Sequence, residues 1–211
     1  MTELRKKIIA GFSKPLPGPA AQYQMAHVLR KQIPTPPPGV RHAGVLALFY
    51  PVPSQGIYNA NLVFIQRSSR EPRDRHAGQI SFPGGSREAI DQDLAATATR
   101  ETWEEIGVPV DEIEVLGALT ELYIPVSNFL VAPYVGFIDH RPDFIRQESE
   151  VDAVLEIPFD SFFSPTARQL MDKELTSGMR LTKVPYWNVA NQQIWGATAM
   201  ITSELIELVK G

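Results

Sequence analysis

The chain has 211 residues, which fits one domain with terminal additions. Its 21% charged residues and formal net charge of −4 are ordinary for a globular protein and give no basis for nucleic-acid or membrane-surface binding. The absence of cysteine excludes disulfides, thiolate metal sites and cysteine nucleophiles, and no run approaches the roughly 20 apolar residues of a membrane span. The first residues carry no cleavage-type signal pattern, so a cytoplasmic location is expected.

Residues 3–12 read as a short amphipathic helix with Leu4, Ile8, Ile9 and Phe12 as its apolar positions. A second helix is expected over 18–31, after Pro15 and Pro17. The run 33–39 holds four prolines, which forbid regular structure and favour a stiff, extended connector. Residues 1–39 are therefore read as an N-terminal helical extension with its connector, and 40–211 as the main domain. The extension is a candidate for capping the domain or for a homodimer contact.

The runs 43–52 and 61–67 are apolar, branched or aromatic and read as strands. A short strand at 79–82 is expected to end in a tight turn at Pro83-Gly84-Gly85. The clearest helix covers 93–107, with Asp91 or Asp93 to cap its start and Gly107 to close it. Strands follow at 113–122, 131–138 and 151–158. Phe159, Phe162 and Phe163 suggest a helix over 159–174. Residues 179–188 and 193–198 read as a hairpin around Val189-Ala190-Asn191, and 198–210 as a closing amphipathic helix. Strands interrupted irregularly by helices indicate an α+β protein, a mixed sheet with helices packed on its faces.

The chemistry gathers in the helix at 93–107. Glu101, Glu104 and Glu105 stand at i, i+3 and i+4, within an arc of about 100° on one face. Like charges so placed destabilise an isolated helix, and a divalent cation is the natural compensation, because hard cations such as Mg²⁺ take carboxylate oxygen. Such a helix on its own is more often a solvated acidic face. The Gly84-Gly85 pair just upstream weighs for the metal reading, since it permits close backbone approach and offers carbonyl oxygen. Ala95, Ala98, Thr102 and Ile106 would let the adjoining face lie close against a sheet, and Arg100 is placed to hold a carboxylate. Trp103 and Trp195 read as packing residues.

Gly85, then Arg100-Glu101-Thr102-Trp103-Glu104-Glu105-Ile106-Gly107-Val108, resembles the Nudix box. Thr102 replaces the usual aliphatic residue or alanine. Gln92 stands where the usual spacing puts a glutamate, and the nearest acid, Asp91, implies a loop one residue longer. The segment 75–85 (RHAGQISFPGG) and the run 184–201 (VPYW…QQIWGATAMI) further resemble the Nudix enzymes that hydrolyse coenzyme A. The likeness spans roughly 43–210.

The resemblance implies a Nudix-type α/β/α sandwich and Mg²⁺- or Mn²⁺-assisted attack of water on a diphosphate. It implies Glu101, Glu104 and Glu105 as metal ligands, with the backbone carbonyl of Gly84 or Gly85 beside them. Arg100 would orient Glu101. The general base would be Glu101 or a later acid, Glu148 or Glu150, with Glu150 the better placed before its strand. Arg67, Arg75, Gly85 and Arg87 are candidate substrate-binding residues. Arg67, Arg70, Arg73, Arg75 and Arg87 outnumber the acids of their stretch, and guanidinium forks suit phosphate oxygens. His76 reads as stabilising that loop. A small-molecule nucleotide of the coenzyme A class is the expected partner. ADP-ribose or a dinucleotide, hydrolysed by the same box, and a catalytically silent nucleotide-sensing module are the alternatives.

Overall fold

Strand β1 (Arg41–Pro51) follows two short helices, α1 (Glu3–Phe12) and α2 (Gly18–Gln22), in a computed structural model that describes residues 3–30, 35–53, 56–68, 77–175 and 178–211. Its apolar residues alternate between two cores, as the two-residue repeat of a strand requires. Ala47 and Phe49 face the larger core, and Leu46, Leu48 and Tyr50 the smaller. Strand β2 (Ala60–Arg67) divides in the same way, Leu62 and Phe64 to one side and Val63 and Ile65 to the other.

After β2 come β3 (Ile80–Ser81), β4 (Gly84–Ser86), helix α3 (Leu94–Ile106), β5 (Glu114–Ala118), β6 (Leu122–Ile124), β7 (Phe129–Phe137) and β8 (Val151–Pro158). These eight strands form one sheet in the order β3-β2-β1-β7-β5, with β4 beside β1, β6 beside β7 and β8 beside β2. The β1–β7 pair is parallel, from Arg41 opposite Phe129 to Phe49 opposite Phe137, and the other pairs are antiparallel. Three further strands, β9 (Arg168–Glu174), β10 (Arg180–Val189) and β11 (Gln192–Trp195), make a second antiparallel sheet, and α4 (Gly196–Lys210) closes the described chain.

The mixed sheet therefore lies between α3, over the smaller core, and α4 with α1, over the larger. This is the expected α+β sandwich. Leu4 and Ile8 of α1 are fully buried in the larger core, and Arg5 pairs with Glu114 of β5.

Four local expectations are corrected. The helix expected over 18–31 is only α2, followed by 3₁₀ turns at Tyr23–Met25 and Val28–Arg30. Residues 83–85 do not form a tight turn: Gly84–Ser86 is a strand that pairs with Ala43–Val45. The single strand expected over 113–122 breaks into β5 and β6. The break lies opposite Pro133, which has no amide for the ladder, and Thr120 gives its own amide to Glu204 of α4. The helix expected over 159–174 is a 3₁₀ turn (Phe159–Phe163) followed by β9. Phe159 and Phe163 pack against Tyr58, Phe159 also against Phe49, and Phe162 against Phe64 and Trp187, so the three do not line a helix.

Candidate active site

Helix α3 is closed at both ends by its own sequence. The Asp93 carboxylate accepts from the Ala96 amide at 2.8 Å, and Gly107 takes the left-handed conformation (φ 74°) that ends the helix. Two carbonyls in the last turn are taken up from outside: the Ile145 amide donates to Ile106 O at 2.9 Å and the Gln147 amide to Glu105 O at 2.8 Å. The segment that caps the helix then turns through 147–150 into β8. Ala98, Thr102 and Ile106 are fully buried, so the small-residue face does lie against the sheet.

The carboxylates differ sharply in setting. The Glu105 side chain is 2% exposed, Glu101 14% and Glu104 45%. Glu105 accepts from the Gly84 amide at 2.9 Å, and the Arg67 guanidinium stands 3.9 Å away. Burial pushes the Glu105 carboxyl up to about 8. The charges of Glu101 and Glu150 add to the rise, and the Gly84 amide and Arg67 oppose it. Burial also raises Glu101, against the pull of Arg100. Glu150 is exposed on its turn, close enough for its charge to act on both.

Arg100 gathers three acids. It lies 2.9 Å from Asp91, 2.9 Å from Glu101 and 2.8 Å from Glu104. Asp91 also accepts from the Glu88 amide at 2.8 Å and the Thr97 hydroxyl at 2.9 Å, and Arg100 holds its carboxyl well below the usual range. The lengthened loop thus delivers a permanently ionised anchor for Arg100. Spacing alone left that role open.

Gly85 packs against the Glu101 carboxylate, where a Cβ would strike its carbon and both oxygens. Alternation along β2 puts Arg67 on the same side as Val63 and Ile65, facing α3. A bulge helps: Gln66 pairs with Ala153 but Arg67 with Val151, so β8 bends and its start turns toward the helix end. Arg87 donates to the Asp91 carbonyl at 3.3 Å and the Gln92 carbonyl at 3.1 Å, pinning the loop before α3. Glu148 faces Arg146 at 3.5 Å. Arg70, Arg73, Arg75 and His76 lie outside the described residues. Trp195 lies beneath the Lys173 ammonium, 4.8 Å from its ring centre. Trp103 corrects the packing expectation, being 54% exposed.

Among the described residues, no three acidic or histidine side chains converge as they stand to enclose an ion. Arg100 occupies Glu101 and Glu104, and the Gly84 amide occupies Glu105. The donor set still fits a hard divalent cation: all oxygen, with two carboxylates whose burial favours neutralisation.

Fold and site together define a class, an α+β domain built around a capped carboxylate helix on a glycine strand. The model of the NUDIX domain matches residues 41–175. A protein of Pectobacterium atrosepticum named "Uncharacterized Nudix hydrolase NudL" is 35% identical over 143 residues, 68% of this chain and 72% of that protein. Its namesake from Yersinia pestis is 36% identical over 135 residues, 64% of this chain and 66% of that protein, so the chain spans just under two thirds of the Yersinia relative. Among solved structures, RenU, a Nudix hydrolase from M. smegmatis, superposes with a TM-score of 0.56 at 16% identity, covering 81% of this chain and 86% of that one. A MutT/nudix family protein from Enterococcus faecalis gives 0.52 at 15% identity, covering 90% and 73%. These two structures speak for the fold alone. The chain belongs to the Nudix family.

Proposed function

We propose that the chain hydrolyses a diphosphate bond in coenzyme A or an acyl-coenzyme A with a divalent metal, Mg²⁺ or Mn²⁺, releasing 3′,5′-ADP and 4′-phosphopantetheine or its acyl derivative. The observation that carries the hydrolytic reading is the face of α3: Glu101, Glu104 and Glu105, with the charge of Glu150 acting on Glu101 and Glu105 and Arg67 across from Glu105.

Glu101, Glu104 and Glu105 would hold the metal. The Gly84 carbonyl is a further candidate, because the Gly84 amide turns off the β1 ladder toward α3 and on an extended backbone the carbonyl faces the same way. When bound, the metal neutralises phosphate charge and lowers the pKa of an attacking water. Arg100, fixed by Asp91, holds Glu101 and Glu104 in register on the helix face. Arg67 faces the phosphates from the end of β2, and Arg87 steadies the loop beside them. Glu150, exposed on its turn, accepts the proton from water, and Glu101 is the second candidate for that task.

The coenzyme A reading draws support from one contact. The two segments that carry the subgroup likeness meet in space: the Thr198 hydroxyl of α4 donates to the Ile80 carbonyl of β3 at 3.0 Å. Turnover of coenzyme A, dephospho-coenzyme A, ADP-ribose and a dinucleoside polyphosphate with Mg²⁺ and with Mn²⁺ tests it. Preference for coenzyme A with 3′,5′-ADP released is the expected result. Preference for ADP-ribose or a dinucleotide would keep the metal helix and discard the substrate, and no turnover on any would leave a nucleotide-sensing module.

A further inference from the structure

An edge strand offers unpaired amides and carbonyls to any other chain, and folded proteins shield such edges. Here β5 is covered by α1, whose Phe12 ring packs on Gly117. Strand β8 ends in Pro158, and the Arg146 guanidinium takes up its Asp152 carbonyl. Strand β9, at the edge of the smaller sheet, has neither device. It holds no proline, and each of its seven residues is at least partly exposed, Leu170 at 59%. The bulge in its ladder falls on β10, between Leu181 and Val184, so β9 itself stays regular. Lys173, the kind of charge that guards an edge, leans back across the sheet over the Trp195 ring.

The ladder shows which backbone groups are free. The Asn188 amide donates to the Ala167 carbonyl at 2.6 Å, so Ala167, Gln169 and Met171 turn toward β10 in alternation. Leu170 stands opposite Pro185, which has no amide to give, and this fits the same alternation. The amides and carbonyls of Arg168, Leu170, Asp172 and Glu174 therefore point outward, without partners among the described residues. We propose that β9 pairs antiparallel with β9 of a second copy of this chain, about a two-fold axis at Met171, joining the two smaller sheets into one. Outward groups bond only to outward groups, which limits the registers. Full overlap of the seven residues puts Arg168 opposite Glu174 of the second copy, Gln169 opposite Lys173, and Leu170 opposite Asp172. No like charges then oppose each other, and symmetry makes the Arg168–Glu174 pair twice. Sliding to the next allowed register parts Arg168 from Glu174, and in one direction sets Asp172 against Asp172. The strand is thus complementary to itself in charge. A foreign peptide would need only the bare edge, so this order of charges argues for a second copy.

Light scattering of the full chain over a range of concentrations tests this, and a dimer that dissociates on dilution is expected. Leu170→Pro removes one outward amide and leaves the bonds to β10, a change that edge strands accept. It should be monomeric where the wild type is dimeric. Glu174→Arg sets arginines face to face at both ends of the contact and should raise the dissociation constant about tenfold, with Arg168→Glu in the same chain restoring it. The two positions stand at opposite ends of β9 and cannot meet within one copy, so restoration separates the contact from a local folding defect. Should Leu170→Pro fail to fold by circular dichroism, the charge swap decides. A wild type that stays monomeric at every concentration, a dimer that Glu174→Arg leaves as tight as before, or a dimer kept by folded Leu170→Pro would overturn the proposal.

Discussion

Two glutamates are buried on opposite faces of the same sheet, and they are treated in opposite ways. Glu204, 0% exposed on α4, accepts from the Gly18 amide at 3.1 Å, the Thr120 amide at 3.1 Å and the Gln22 side-chain amide at 2.7 Å. Glu105, 2% exposed on α3, has one backbone amide and an arginine at 3.9 Å. A buried carboxylate wrapped in donors is a structural joint, here tying α2 and the β5–β6 connection to α4. A buried carboxylate left short of donors and beside two like charges is unfinished without a cation. The difference separates a framework carboxylate from a candidate-site carboxylate.

The largest effect should come from Glu105→Gln. Gln keeps an acceptor for the Gly84 amide but cannot ligate a metal as a carboxylate does, so kcat should fall about a thousandfold, measured with saturating Mn²⁺. The variant should also be sturdier without metal at high pH. The unfolded chain releases this proton near 4.5 and the folded one near 8, so the folded state binds more protons between those values and the metal-free wild type loses stability as pH rises through that window. Thermal unfolding in a chelator at pH 5 and pH 8.5 should show that fall in the wild type and a smaller one in Glu105→Gln. Equal falls in both proteins would remove the distinction between the two glutamates.

Glu204→Leu should break the joint instead. It strands two backbone amides and one N–H of Gln22, whose side chain keeps its bond to the Thr120 carbonyl, a cost of about 3 kcal/mol or more, read as a lowered denaturant midpoint. Loss of turnover per folded molecule comparable to that of Glu105→Gln would contradict its structural role. Gly85→Ala comes next. Its methyl group must push the Glu101 carboxylate aside, so turnover should drop about tenfold to a hundredfold with little change in stability. Arg67→Ala should have the smallest effect, weakening binding of coenzyme A roughly severalfold more than dephospho-coenzyme A; equal losses would detach Arg67 from the 3′-phosphate.

Helix α3 was legible because three independent signals agreed on it: carboxylate spacing, Asp93 before it and Gly107 after it. Strand β8 was legible to the residue, since a branched apolar run stops at Pro158. Strand β9 was not, because both of its sides are partly exposed and its sequence, RQLMDKE, lacks apolar alternation. The three phenylalanines ahead of it imitate a helical spacing that they use in a 3₁₀ turn. In the site, the acids could be read from spacing, but the company they keep could not. That Asp91 anchors Arg100, and that the Gly84 amide serves Glu105, follow from how a strand and a loop pass the helix. Trp103 misled for the same reason: tryptophan is usually packed, and only the course of 144–147 reveals that nothing among the described residues covers it.

The Glu204 joint also sets an order of events in synthesis. Gly18 and Gln22 leave the ribosome early, yet the acceptor they need is 186 and 182 residues further along the chain. Contacts of such separation close late, because a long loop must be drawn in before they form. Until α4 emerges, the first helices have only part of their packing, such as Phe12 of α1 on Gly117 of β5, and apolar surface of this kind is exposed while the chain is made.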